Sequence, residues 1–103
     1  MSNYTRLNPN AWSASELSLL NGKLVLRKRG NVVMATFKGY NHGAFTGQVT
    51  VTTLPVGWRP LDTAYFLNDL DRSNAMISTG GGVILNSYWS ERNVWAGCTY
   101  VTA

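Results

Sequence analysis

From Lys23 to Lys38 the chain alternates. Leu24 and Leu26 fall on one face with Lys23, Val25 and Arg27 on the other, and beyond Gly30-Asn31 the residues Val33, Ala35 and Phe37 oppose Val32, Met34, Thr36 and Lys38. A period of two broken by a glycine-asparagine pair predicts a β-hairpin with a two-residue turn. Val32 and Met34 are poor choices for a solvent-facing surface, so the outer face of the second strand is expected to pack on another sheet or another chain.

The same alternation recurs along the chain. Leu17 and Leu19 alternate with Glu16 and Ser18, which favours a strand over the helix that a Ser13-Ala14-Ser15-Glu16 capping box would start. Gln48 to Thr53 alternates with Val49 and Val51 inward, Thr63 to Leu67 reads as a short aromatic strand, and Ala75–Ser78 pairs with Val83–Leu85 around a Thr79-Gly80-Gly81-Gly82 turn. Val94 to Val101 alternates again. Between these lie predicted loops at 39–47, 68–74 and 87–93. Leu54-Pro55-Val56-Gly57-Trp58-Arg59-Pro60 is a rigid corner, because two prolines cannot donate to a ladder and the glycine between them is free to take positive φ. Trp58 is expected to pack inward there, with Arg59 bracing the turn. Seven or eight short antiparallel strands without a convincing helix predict an all-β domain, a β-sandwich of jelly-roll-like form over residues 16–103. Residues 1–15 are polar, contain Pro9 and lack a period, so they read as an N-terminal arm or connection.

At 103 residues the chain supports one domain and one core. Only 14% of residues are charged, below the roughly 25% usual for soluble domains, so the surface must be neutral and polar or partly hidden in an assembly. The net charge of +4 admits nucleic acid. However, its densest cluster, Arg27-Lys28-Arg29, abuts a turn and reads as a solvated hairpin tip, and Lys23 and Arg27 share a face with Val25 rather than with an aromatic ring. No nucleic-acid partner is therefore expected. The first residues lack an apolar h-region, and no apolar run approaches the ~20 residues of a membrane span, so neither an export signal nor membrane insertion is predicted.

Little catalytic chemistry is visible. The five acidic residues are Glu16, Asp62, Asp69, Asp71 and Glu91, and the close pair Asp69 and Asp71 reads as the solvation of a loop. Asn68, Asp69, Asp71 and Asn74 offer oxygen atoms of the kind calcium takes but lack the glycine and distal glutamate of an EF-hand. With one cysteine, Cys98, and one histidine, His42, no ordinary zinc site can form, and no cofactor is expected. Cys98 reads as a small buried hydrophobe. No Gly-x-Ser-x-Gly elbow and no phosphate-cradling loop occurs, so an enzyme is not predicted.

The aromatic residues are more informative. Tyr40, Tyr88, Trp89 and Trp95 lie near His42, Arg92, Asn41 and Asn93 in segments read as loops, a mixture that suits sugar recognition: flat apolar faces for C–H groups and polar groups for hydroxyls. The candidate ligand-binding set is Tyr40, His42, Asp69, Asp71, Tyr88, Trp89, Arg92 and Trp95.

The corner carries a family resemblance. Leu54-Pro55-Val56-Gly57-Trp58-Arg59-Pro60 resembles the Leu-Pro-x-Gly-aromatic-Arg-Pro signature in C-terminal tip domains of phage and prophage tail-fibre and baseplate receptor-binding proteins. Leu17 to Gly22, Leu26 to Val33 and Gly97 to Ala103 are similar in style to the flanking strands of such domains. The resemblance implies a homotrimeric β-sandwich in the virion, at the tail tip or baseplate, made in the bacterial cytoplasm without a signal peptide. It would contact other tail proteins and adhere to host cell-wall or surface polysaccharide, with the corner serving as structure rather than as a site. The alternative is an assembly subunit of the tail with no ligand of its own. The short segment before the first strand fits either a fragment of a longer fibre or a small accessory subunit.

Overall fold

A computed structural model describes residues 15–67 and 74–102. Two four-stranded antiparallel sheets enclose one core. The strands are β1 (Ser15–Leu19), β2 (Leu24–Arg29), β3 (Val32–Tyr40), β4 (Gln48–Thr53), β5 (Ala64–Tyr65), β6 (Ala75–Ile77), β7 (Gly82–Asn86) and β8 (Val94–Val101). The first sheet has the order β1-β2-β3-β8 and the second β4-β7-β6-β5. The pairs β3 with β8, β4 with β7 and β5 with β6 are nested, which is how a jelly-roll-like sandwich wraps one long hairpin across two layers. The sandwich expected from the alternation is thus present, and residues 15–19 are strand rather than helix. The N-terminal arm, apart from Ser15, lies outside the described residues.

The hairpin follows its pattern. Gly30 takes φ 62° at the first turn position, and β2 and β3 then pair from Arg29 with Val32 to Leu24 with Phe37. Leu24, Leu26, Val33, Ala35 and Phe37 are buried against Phe66, Ile77, Val83 and Leu85 of the second layer. Apart from Ala35, which contributes less, each of these side chains contributes roughly 1.5–3 kcal/mol through burial. The Phe37 and Phe66 rings meet at 4.9 Å across the layers, a tilted aromatic contact at the centre of the sandwich.

Several boundaries differ from expectation. β3 runs on to Tyr40, two residues into the predicted loop, because a register shift between Lys38 and Tyr40 absorbs Gly39 at φ 74°. The predicted strand 63–67 narrows to Ala64–Tyr65 and continues only as a single bridge from Leu67 to Gly97. A second bridge joins Pro60 to Thr102, so the segment 60–67 lines the free edge of β8 and links the two layers on that side. Lys28 is not a solvated tip residue. It alternates with Leu24 and Leu26, and its Nζ donates to the Gly57 carbonyl while lying 5.8 Å from the Trp58 ring centre.

The corner is held from several directions. Arg59 Nε donates to the Leu54 carbonyl at 2.9 Å, the Leu54 amide donates to Gly81, and the Tyr100 hydroxyl donates to the Trp58 carbonyl. Leu54 is fully buried and Trp58, half-buried, packs against the core. Leu54, Pro55, Gly57, Trp58, Arg59 and Pro60 thus tie β4, the β6–β7 turn, β2 and β8 together.

Candidate functional site

Two connections meet at one end of the sandwich: residues 41–47 between β3 and β4, and residues 87–93 between β7 and β8. Asn41 starts the first by accepting from the Gly43 amide at 2.8 Å, a side-chain turn that asparagine forms readily. The second opens with a short 3-10 turn, Ser87–Trp89, where Asn86 Oδ1 accepts from the Ser87 amide at 2.9 Å. Three hydrogen bonds lock the two connections: Glu91 N to Gly43 O at 2.9 Å, Phe45 N to Ser90 Oγ at 3.0 Å and Asn41 Nδ2 to Asn93 Oδ1 at 3.2 Å. Segments some 45 residues apart in the chain therefore form one ordered surface.

The side chains on it are held rather than free. The Tyr40 hydroxyl and His42 Nδ1 are 2.8 Å apart, and His42 meets Phe45 edge-on at 5.5 Å. Partial burial pushes the Tyr40 phenol above its ordinary value of 10.0, so it is protonated at neutral pH and able to donate. The Arg92 guanidinium lies 4.4 Å from the centre of the Tyr88 ring, a cation–π contact. Asn41, His42, Arg92 and Asn93 are exposed. The result is a shallow polar surface floored by Tyr40, Phe45 and Tyr88.

Of the residues singled out in the sequence, Tyr40, His42, Tyr88 and Arg92 come together here. Trp89 does not present a face to solvent; it is 7% exposed, belongs to the core and meets Tyr88 edge-on at 4.9 Å. Its position in a short turn concealed this, since periodicity says nothing about which loop side chains fold back. Trp95 is a strand residue, not a loop residue: it opposes Lys38 on the outer face of the first sheet and is 66% exposed, with its ring over Gly39 beside the end surface. Asp69 and Asp71 lie outside the described residues. Phe45, Ser90 and Gly43 complete the surface, and only the glycine-rich composition of their loop hinted at it.

The pairing of Trp95 with Lys38 also puts an aromatic ring on the outer face that carries Arg27, where Val25 rather than an aromatic was expected. Arg27 and Arg29 belong to that same outer face, where Arg27 opposes Met34 and Arg29 opposes Val32. A concavity of about 650 Å³ lies there, lined by Glu16, Arg27, Arg29, Val32 and Met34, away from the end surface. Among the described residues no second sheet covers it.

Reactive chemistry is sparse in the described residues. Cys98 opposes Ala35 on the core side of β8, and burial pushes its thiol up to about 12, which keeps it protonated and poorly nucleophilic at neutral pH. Among the described residues no three His, Cys, Asp or Glu side chains gather as a metal site would need, and no helix is long and apolar enough to cross a membrane. Comparison with protein families, with curated proteins and with solved structures returns no match for this chain.

Proposed function

We propose that this chain is a tip domain of a phage or prophage tail fibre or baseplate, acting in the virion as a homotrimer that adheres to host cell-wall or surface saccharide. The observation that carries the binding part of this reading is the locked end surface, where Asn41, His42, Arg92 and Asn93 stand exposed around Tyr40, Phe45 and Tyr88. Sugars are bound by such surfaces because hydroxyls pair with amide, imidazole and guanidinium groups while C–H faces rest on rings. Pre-ordering by hydrogen bonds between the loops lowers the entropy lost on binding. The tail assignment rests on the resemblance of the Leu54–Pro60 corner, which the fold uses as structure. Synthesis in the bacterial cytoplasm without an export signal belongs to the same reading.

A screen of host cell-wall saccharides against the purified protein tests it. Binding is expected, with at least a tenfold loss of affinity in Arg92→Ala and His42→Ala. Absence of binding to every saccharide, or binding untouched by both substitutions, overturns it.

The second reading is a tail assembly subunit without its own ligand. It is favoured by the outer face of the first sheet, where Met34 is 58% and Trp95 66% exposed, a surface suited to burial against protein.

A further inference from the structure

Eight large hydrophobic side chains are exposed among the described residues, and all but Val56 fall on one continuous surface. Val32 and Met34 point outward from β3, Val101 and Trp95 from β8. Beyond the free edge of β8 the surface continues onto the segment 60–67. The Leu61 amide donates to the Val101 carbonyl at 2.8 Å and the Leu67 amide to Gly97 at 2.9 Å, which sets Leu61 and Leu67 alongside the outer residues of β8. Tyr65 lines a concavity shared with Thr99 and Val101. These residues sit on three neighbouring segments, β3, β8 and 60–67, and large apolar side chains gathered in a band on one exposed face mark a contact surface.

Its two flanks carry opposite charge. On the β2–β3 side the concavity between Arg27, Arg29, Val32 and Met34 is basic, with Glu16 as its one acidic neighbour. On the other side, exposed Leu61 and Asp62 form the rim. A hollow lined by cations and apolar groups and a rim offering a leucine and a carboxylate are complementary in polarity and charge, and both belong to this chain.

We infer that a second copy of this chain covers the band, seating its Leu61 and Asp62 in the Arg27, Arg29 and Met34 hollow of its neighbour. The inference rests on the oligomeric part of the reading above and assigns its contact surface; it is independent of the saccharide. Hollow and rim are different patches. Around a three-fold axis each copy offers its rim to one neighbour and its hollow to the other, and such heterologous contacts close into a ring. The charged pair fixes register, and the apolar band supplies the burial.

The test is sedimentation of the full chain from low to high micromolar concentration, with circular dichroism to confirm folding. The wild type is expected to be an oligomer. Asp62→Arg alone and Arg27→Asp with Arg29→Asp are each expected to weaken association at least tenfold, and the three changes together to regain much of it, because the charges are exchanged. Met34→Ser, which adds no charge, is expected to weaken association as well. A wild type that stays monomeric overturns both the oligomeric reading and this surface. An oligomer indifferent to all these substitutions overturns the surface alone and leaves the oligomeric reading standing. Dissociation by the charge variants without recovery in the combined one overturns the Asp62 pairing.

Discussion

The indole of Trp95 lies against the backbone of Gly39, so closely that a β-carbon at position 39 would sit 2.8 Å from Cζ2 and 3.2 Å from Cε2 of the ring. A glycine inside a strand weakens it, and a ring laid over the bare backbone returns the missing contact. Here the cover also fixes one face of an exposed tryptophan at the border between the end surface and the outer sheet face. Gly39→Ala is expected to lose about 2 kcal/mol, from left-handed strain at φ 74° and from overpacking against the indole. Thermal unfolding reads the loss. Acrylamide quenching, with Trp95→Phe as the reference, reads the displaced ring.

Within one turn, neighbouring glycines are expected to behave differently. A β-carbon on Gly81 would lie 2.8 Å from both the Leu54 carbonyl and Arg59 Nε, which are themselves hydrogen-bonded, and φ is 91°. Gly81→Ala should cost about 3 kcal/mol. At Gly80 the nearest contact is Ser78 Oγ at 3.9 Å, so Gly80→Ala should fall within about 0.5 kcal/mol of wild type. Chemical denaturation of the two variants distinguishes a turn held by the corner from one that is merely glycine-rich.

Arg59→Ala removes the donor to the Leu54 carbonyl, a half-buried contact, and should cost about 1–2 kcal/mol. If the corner is structure, saccharide affinity is unchanged by this substitution while the melting temperature falls. A variant that keeps its stability but loses binding would place the corner among the binding residues instead.

Alkali should unfold the protein through β8. Burial raises the Cys98 thiol from its ordinary 9.0 to about 12, and burial first, then the neighbouring Cys98 charge, raises the Tyr100 phenol above 10.0. Both are acids whose neutral form the fold prefers. Their contribution is therefore complete below the unfolded values, erodes as pH rises above about 9, and is lost as pH passes through the folded values. Stability measured from pH 7 to 11 should be flat and then decline, with a later decline in Cys98→Ala. A thiol reagent should react slowly with the native chain at pH 8 and quickly in denaturant.

Particular residues show how far the sequence could be read. Leu24, Leu26, Val33, Ala35 and Phe37 declared the first hairpin because strand side chains alternate strictly and one face had to be buried. Trp89 and Trp95 were not separable on the same grounds. Both follow a polar stretch rich in hydrogen-bonding groups, yet one turns into the core from a 3-10 turn and the other stands on the outside of a strand. Lys28 reads as a solvated charge from its basic neighbours, although its place in the alternation puts it on the face with Leu24 and Leu26.

The sequence by itself determined the class of fold, the register of the first hairpin and the corner, since these follow from local periodicity, from proline's missing donor and from glycine's freedom at positive φ. Tertiary structure decided the rest. It brought Asn41 to Asn93 and Phe45 to Ser90, laid Trp95 on Gly39, and set Leu61 and Leu67 beside β8 so that scattered apolar residues became one band. Those relations depend on how two sheets stack and which strands nest, and contacts across so many residues leave no periodic trace in the chain that makes them.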